Sequence, residues 1–132
     1  MKQWIKNIPF PPSANDLYRP VTRGRFAAVI KTTQYKAYSD LISFIKFEKI
    51  ESDHPMALYV YFFAPKEYWL TKQGKPQRKD LDNRLKSLDP IFKTLNIDDK
   101  MFFEIHAYKC ISSKQRVDLL FTDELATHCE VF

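Results

Sequence analysis

The alternation of apolar and polar positions predicts four strands in this chain of 132 residues. Residues 56–63 form a continuous apolar and aromatic run, which is typical of a buried strand. Residues 101–109 and 116–122 alternate with a period of two and predict an antiparallel hairpin. Residues 3–10 predict a first strand that ends near Pro9, because proline cannot donate to a ladder. The apolar face of the third predicted strand is Met101, Phe103, Ile105 and Ala107.

Two further segments carry the spacing of helices. Residues 35–50 place apolar side chains three and four positions apart, with Thr33 as the expected cap. Residues 82–95 repeat in the same way but contain Pro90. Proline removes the hydrogen bond to the carbonyl of Lys86, so we expect a kink or an early end to this second helix.

The order β-α-β-α-β-β indicates an α+β fold with layers of the α/β type. It predicts one domain over residues 1–132, in which two main helices cover a mixed sheet of about four strands. Residues 11–34 carry no clear period and predict a long irregular loop, a kind of segment that is usually functional or mobile.

Composition limits the class of protein. The chain is 45% hydrophobic, which excludes overall disorder. No stretch approaches the roughly 18 apolar residues of a membrane span. The N-terminus lacks an apolar signal core, and Cys110 and Cys129 are expected to be reduced thiols, so a cytoplasmic location is predicted.

The formal charge of +5 is unevenly distributed along the chain. Cations are concentrated in residues 1–36 and again in residues 66–79. A basic excess favours polyanionic partners such as DNA. The alternative is an ordinary solvated surface.

The sharpest chemical pattern is a set of aspartates beside the second basic stretch. Asp80 and Asp82 lie two residues apart, Lys86 follows on the same helical face, and Asp98 and Asp99 form a second acidic pair. If the junction at the first pair is extended, both carboxylates point the same way. The alternative is structural, with Asp82 as a helix cap, Asp80 just outside it, and Lys86 in an intrahelical ion pair.

A metal site explains why four carboxylates would lie near basic residues. Mg²⁺ prefers hard oxygen ligands and is commonly held by one or two carboxylates together with a substrate phosphate. We therefore expect the metal ligands among Asp80, Asp82, Asp98 and Asp99, with Lys86 beside the scissile phosphate. A straight helix over residues 82–95 would be about 20 Å long and would separate the two acidic pairs. Either the helix must break at Pro90 or a second subunit must complete the site.

Other cofactor sites find no support in the sequence. The chain has two glycines, too few for a phosphate-binding glycine loop, and its histidines and cysteines lack the spacing of zinc ligands.

Three motifs in order resemble those of the RusA-like Holliday junction resolvases, small endonucleases of bacteria and prophages. The match spans roughly residues 5–122. The motifs are Pro11-Pro12-Ser13-Ala14-Asn15-Asp16-Leu17-Tyr18-Arg19, then Asp80-Leu81-Asp82-Asn83 with Lys86, then Asp98-Asp99. The chain departs from the family pattern at Pro90 and at Lys100-Met101-Phe102.

The resemblance implies a homodimer that binds four-way DNA junctions and nicks two opposed strands with Mg²⁺ or Mn²⁺. It implies that Asp80, Asp82 and Asp99 are the essential acids, with Asp98 adjacent and Lys86 assisting. It places Asn15, Tyr18 and Arg19 near the site or the DNA. The cations expected to grip the DNA backbone are Arg19, Arg23, Arg25, Lys75, Arg78 and Lys79.

Two alternatives remain open on sequence grounds. A non-catalytic nucleic-acid-binding module would stack bases on aromatic side chains of the basic loops. A nuclease with the same chemistry could instead act on flaps or other branched DNA. The aromatic candidates for stacking are Tyr18, Phe26, Tyr68 and Trp69.

Overall fold

The computed structural model describes residues 1–13, 18–23 and 26–126. Six strands and four helices occur in this part of the chain, with a single 3₁₀ turn at Asp99–Met101. The strands are β1 (Lys2–Ile8), β2 (Tyr18–Arg23), β3 (Phe26–Lys31), β4 (Met56–Ala64), β5 (Phe102–Ile111) and β6 (Arg116–Thr122). The helices are α1 (Thr33–Ser43), α2 (Lys66–Trp69), α3 (Leu81–Lys86) and α4 (Asp89–Leu95). None of the helices in this described part is long and apolar enough to cross a membrane.

The main sheet has the strand order β1-β6-β4-β5 and confirms the predicted α+β fold with a mixed four-stranded sheet. β4 pairs in parallel with β5 and antiparallel with β6, and β6 pairs antiparallel with β1. The pairing of β1 with β6 begins at Lys2 and Thr122, near opposite ends of the chain.

The predicted hairpin of the last two strands is wrong, because β4 lies between β5 and β6. The short connection after β5 crosses the end of β4, where the Ser112 N–H donates to the carbonyl of Ala64 at 2.9 Å. Sequence proximity favours a hairpin, but β4 is the most apolar strand and is buried best at the centre of the sheet.

The predicted apolar face of β5 is also displaced. The register between β4 and β5 shifts at Met56 and Ala57. Phe102 therefore packs against the core rings of Phe92 and Phe121, while Phe103 is mostly exposed. An irregularity of one residue moves side chains to the other face of a strand.

The core lies on one face of β4, where Leu58, Val60 and Phe62 are fully buried. The alternate residues Tyr59 and Tyr61 are only half-buried on the opposite face. β4 is therefore confirmed as a central strand, but one of its faces is less covered than the apolar run predicted.

The irregular loop predicted over residues 11–34 is wrong in its second half. β2 and β3 form a separate antiparallel ribbon that pairs Tyr18 with Lys31 and Arg23 with Phe26. Pro20 obscured the strand pattern, although proline is tolerated in an edge strand.

The first predicted helix is confirmed in type but not in its bounds. Its cap is Thr32 rather than Thr33, and the Thr32 Oγ1 accepts a hydrogen bond from the Tyr35 N–H at 3.2 Å. The helix ends at Ser43, and residues 45–50 return to the core without helical structure, with Ile50 buried there. Tertiary packing therefore overrides the helical spacing of this segment.

The break predicted at Pro90 is confirmed. α3 ends at Lys86, and α4 begins at Asp89 with Pro90 in its first turn, where the missing N–H costs nothing. Leu88 joins the two helices and is fully buried in the core. Its packing fixes the angle at which one short helix follows the other.

We expect Leu88→Ala to lower the free energy of unfolding by about 3 kcal/mol, because it leaves a cavity at a site that packing already fills. Urea denaturation measures this loss. The matched control is Leu41→Ala on α1, where the side chain is half exposed and the loss should be under about 1 kcal/mol. Equal effects of the two substitutions would contradict the role of Leu88 as the packed joint.

Candidate active site

Asp80 immediately precedes α3 and is the capping residue by position. Its backbone is extended, with φ −66° and ψ 132°, yet its side chain makes no capping hydrogen bond. The carboxylate is exposed. Capping therefore does not occupy this carboxylate, contrary to the structural alternative.

Asp82 is the second residue of α3 rather than its cap. The expectation that Asp80 and Asp82 point the same way along an extended segment is wrong, because only the first of them is extended. A carboxylate in the first helical turn is stabilised by the helix dipole.

Lys86 forms the expected ion pair with Asp82, with 3.3 Å between the lysine Nζ and the Asp82 Oδ2. Both side chains are more than half exposed. Such solvated pairs contribute only a few tenths of a kcal/mol, so both groups stay available to a ligand.

The second acidic pair follows a reversal of the chain at the end of α4. Asn96 adopts left-handed geometry, with φ 55° and ψ 45°, which asparagine tolerates better than most residues. The Ile97 N–H then donates to the carbonyl of Phe92 at 3.1 Å, and the chain turns back over α4. This turn carries Asp98 and Asp99 towards α3.

Asp98 caps the 3₁₀ turn that follows. Its Oδ1 accepts a hydrogen bond from the Lys100 N–H at 3.0 Å. This backbone bond, with smaller contributions from Asp99 and from the Lys100 charge, lowers the pKa of Asp98 from its ordinary value of 3.8. Asp98 is therefore a carboxylate at neutral pH.

One open cleft of about 740 Å³ joins these elements. Four carboxylates and two ammonium groups line it above an apolar floor, which leaves two net negative charges. The charged lining residues are Asp82, Lys86, Asp89, Lys93, Asp98 and Asp99. The cleft thus brings together four of the five predicted catalytic and metal-binding residues. The fifth, Asp80, immediately precedes α3 but does not line this cleft.

Asp89 and Lys93 were not predicted. Their side chains are 3.1 Å apart, the Tyr35 hydroxyl donates to Asp89 at 3.2 Å, and Lys93 donates to the same hydroxyl at 3.1 Å. Hydrogen bonds to Tyr35 and then to Asp89 raise the pKa of Lys93. The signal in the sequence is a repeat of seven, because the Asp82 and Lys86 pair recurs as Asp89 and Lys93.

The donor chemistry of this cleft fits a hard divalent cation, since exposed carboxylates are ligands that Mg²⁺ prefers. Within residues 1–13, 18–23 and 26–126, however, no three acidic, histidine or cysteine side chains are close enough to hold one ion. The present arrangement fits an ion held by one or two carboxylates, with water and substrate oxygens completing its shell.

The predicted DNA-binding residues lie in two separate segments of the chain, the connection before α3 and the region of β2. Lys75 and Arg78 are exposed in the connection after α2, whereas Lys79 lies with its Nζ 4.3 Å from the ring centre of Tyr68. The β2 strand contains Tyr18, Arg19 and Arg23, whose side chains are outside the described set, and Asn15 and Arg25 lie outside the described residues.

Trp69, proposed as a stacking residue in the non-catalytic alternative, is buried in the core. Its Nε1 donates to the carbonyl of Cys110 at 2.8 Å. Trp69 therefore stabilises the junction of α2 with β5 and offers no free face to a base.

The sequence was compared with models of known protein families. The family model of the endodeoxyribonuclease RusA matches residues 9–120. The chain belongs to the RusA endodeoxyribonuclease family. The match begins just after β1 and ends within β6, and it includes every acidic residue discussed above, so the RusA domain carries the whole acidic cleft. No curated protein matches the chain.

We expect the carboxyl group of Asp98 to titrate below 3.8 in the folded protein. Because folding lowers this pKa, the stabilisation that Asp98 contributes is present above the ordinary aspartate range and is lost as the pH falls through the lowered folded value. Carboxyl ¹³C resonances followed by NMR measure the midpoint. The same resonance in urea-unfolded protein is the reference, and a folded midpoint at or above 3.8 would contradict the Lys100 hydrogen bond.

Proposed function

We propose that the protein is a Mg²⁺-dependent endonuclease that resolves four-way DNA junctions by paired phosphodiester hydrolysis during recombination and repair. The observation that carries this proposal is the cleft that joins Asp82 and Lys86 with Asp98 and Asp99 in a chain of an endodeoxyribonuclease family. The free thiol of Cys110 is in keeping with action in the cytoplasm.

The proposed ligands of the cation are Asp82, Asp98 and Asp99, with Asp80 at the exposed start of α3 as a further ligand. These carboxylates would hold Mg²⁺ or Mn²⁺, either of which would supply activation of a water molecule and neutralisation of charge at the scissile phosphate. A divalent cation would also offset the two net negative charges of the cleft, which otherwise repel a phosphate backbone.

Lys86 is proposed to stabilise negative charge that develops at the scissile phosphate. Its ammonium is exposed and held beside Asp82 by a weak ion pair, so it can move to a substrate oxygen at little cost. A bound cation that engages Asp82 would release Lys86 for this contact.

The DNA backbone is proposed to be held by cations outside the acidic cleft. Lys75, Arg78 and Lys79 occupy the connection that leads into α3, so a strand that reaches Asp82 from that side passes them first. Arg19 and Arg23 of the β2–β3 ribbon, with Asn15, Tyr18 and Arg25, are proposed as additional contacts.

A homodimer is the proposed assembly. β5 is an edge strand of the main sheet. It leaves Phe103, Ile105 and Ile111 half or more exposed, an arrangement that proteins normally cover. Ile105 also lines the acidic cleft, so a partner docked on β5 would lie next to the site.

Synthetic four-way junctions, flaps and linear duplexes, incubated with and without Mg²⁺, test the activity. We expect paired nicks in the four-way junction with Mg²⁺ and no cutting without a divalent cation. If flaps are cut in preference to four-way junctions, the proposed function would change from junction resolution to cleavage of other branched DNA. Binding of all three substrates without cutting under any cation would favour the non-catalytic module.

Asp82→Asn should lower junction cutting by about a hundredfold or more and leave junction binding intact, because it removes a ligand oxygen charge but keeps the shape of the residue. Initial rates on a labelled junction measure the loss. Asp40→Asn, at an exposed aspartate of α1 outside the cleft, is the matched control and should cut normally. Undiminished cutting by Asp82→Asn in a nuclease-free preparation would remove Asp82 from the site.

We expect Phe103→Glu to convert a dimer into a monomer, because it places a charge in the apolar surface that the partner covers. Sedimentation velocity of the two proteins at the same concentration measures the change. Lys36→Gln, an exposed change on α1, is the control because it alters the net charge by the same amount as Phe103→Glu. A wild-type monomer, or an unchanged Phe103→Glu dimer, would exclude this surface of β5 as the interface.

A further inference from the structure

A second cleft of about 450 Å³ lies beside α3 and shares no lining residue with the acidic cleft. Its walls include Arg84 of α3, Lys79 before that helix, and the aromatic rings of Phe10 and Tyr68. The first motif of the sequence reaches it through Ser13. The two clefts thus differ in the sign of their charge.

Arg84 is the unusual member of this set, because its side chain is buried with only 6% of its surface exposed. The guanidinium carbon lies 5.3 Å from the ring centre of Tyr68 and 5.9 Å from that of Phe10. Its Nε is buried without a hydrogen-bond partner among the described residues. Aromatic faces stabilise a cation only in part, so an anion beside the Nε would complete the environment of this guanidinium.

Lys79 adds a second positive charge at the same ring. Its Nζ lies 4.3 Å from the centre of Tyr68, the ring that also contacts Arg84. A guanidinium that offers Nε and a terminal nitrogen binds phosphate oxygens in a bidentate fork, and an ammonium nearby adds charge. The chemistry of the cleft therefore selects a phosphate group.

The position of this cleft relative to the acidic one follows from the helix. Asp82 and Arg84 are two residues apart in α3, which places them roughly 200° apart around its axis. A helix with its side chains is about 10–12 Å across. One strand has a phosphate for every 3.4 Å or so of duplex axis, and neighbouring phosphates lie farther apart than this rise, so that width corresponds to at most about three nucleotides.

We propose that the Arg84 cleft binds a backbone phosphate of the same DNA strand that is cut at Asp82, within about three nucleotides of the scissile phosphate. Arg84 is then a positioning residue that fixes where along the strand the acidic cleft acts. This inference rests on the proposed function for the identity of the strand, but binding alone tests it.

Arg84→Met keeps the length and apolar contacts of the side chain and removes its charge. We expect it to weaken binding of a labelled four-way junction in EDTA by about tenfold at fixed salt, and to reduce the slope of log K against log salt by about 0.9, the value for one phosphate. The matched control Lys46→Met removes an exposed charge outside both clefts and should change neither quantity. Wild-type affinity and slope in folded Arg84→Met would overturn the proposal.

If Arg84 had a purely structural role, its replacement would change stability and not DNA binding. Such a role predicts that Arg84→Met lowers the unfolding temperature and that the folded fraction binds normally, which also overturns the proposal. If Arg84→Met does not fold, the wild-type protein provides the readout through the ¹⁵N resonance of the Arg84 Nε–H, assigned with Arg84→Lys. Addition of a short single-stranded oligonucleotide should shift this resonance, and no shift at saturation would exclude the contact.

Inorganic phosphate separates a backbone site from a site for a free anion. We expect the oligonucleotide to shift the Nε–H resonance at far lower concentration than inorganic phosphate does. The reverse order would overturn binding of the DNA backbone. A protein that cuts no DNA but loses binding on Arg84→Met would refute the proposed function and keep this inference, so the two failures are distinguishable.

Discussion

The cleft depends on one steric constraint, the inability of Pro90 to continue the hydrogen-bond ladder of the helix before it. A continuous helix would carry the chain about 20 Å from Asp82 before the second acidic pair appears. The break at Ser87 and Leu88 and the left-handed Asn96 instead fold the segment back within a few residues. Leu88 makes the break rigid, because it packs into the core at the point where the two helices meet.

Separation of charge is the second property on which the site depends. α3 is six residues long, yet Asp82 lines the acidic cleft on one side of it and the buried Arg84 lines the second cleft on the other. Under the proposed function, the DNA strand would be held by the cations on one side of this helix and would react beside the carboxylates on the other. The two proposed roles would then be divided between opposite sides of one short helix.

Sequence reasoning predicted the features that local stereochemistry determines. The break at Pro90 and the central strand β4 follow from a missing donor and from an apolar run. The neighbours of β5 could not be predicted in this way, because strand order depends on which surfaces bury best once all strands are present. The β2–β3 ribbon was missed since Pro20 interrupts its pattern and it adds no strand to the main sheet.

The candidate site likewise has features that local sequence predicts and features that depend on the tertiary fold. The first and second acidic motifs were recognisable as residue types in order, but their convergence required the reversal at Asn96, whose left-handed geometry no periodic pattern signals. Asp89 and Lys93 also line the cleft, and a seven-residue repeat in the sequence could have predicted them. Arg84 occupies a position in the apolar stripe, where a charged residue marks a conflict between pattern and burial.

The pairing of Lys2 with Thr122 has a consequence for how the molecule is made. At synthesis rates of roughly 5–20 residues per second, the first strand waits about 6–24 seconds before its neighbour emerges. Throughout that interval β1 presents unpaired amides and carbonyls, and the apolar residues Ile5 and Ile8 lack the β6 partners with which they pair in the finished sheet. Completion of the sheet is thus a late, long-range closure, and the positive charges of Lys2 and Lys6 on β1 oppose pairing with other chains until then.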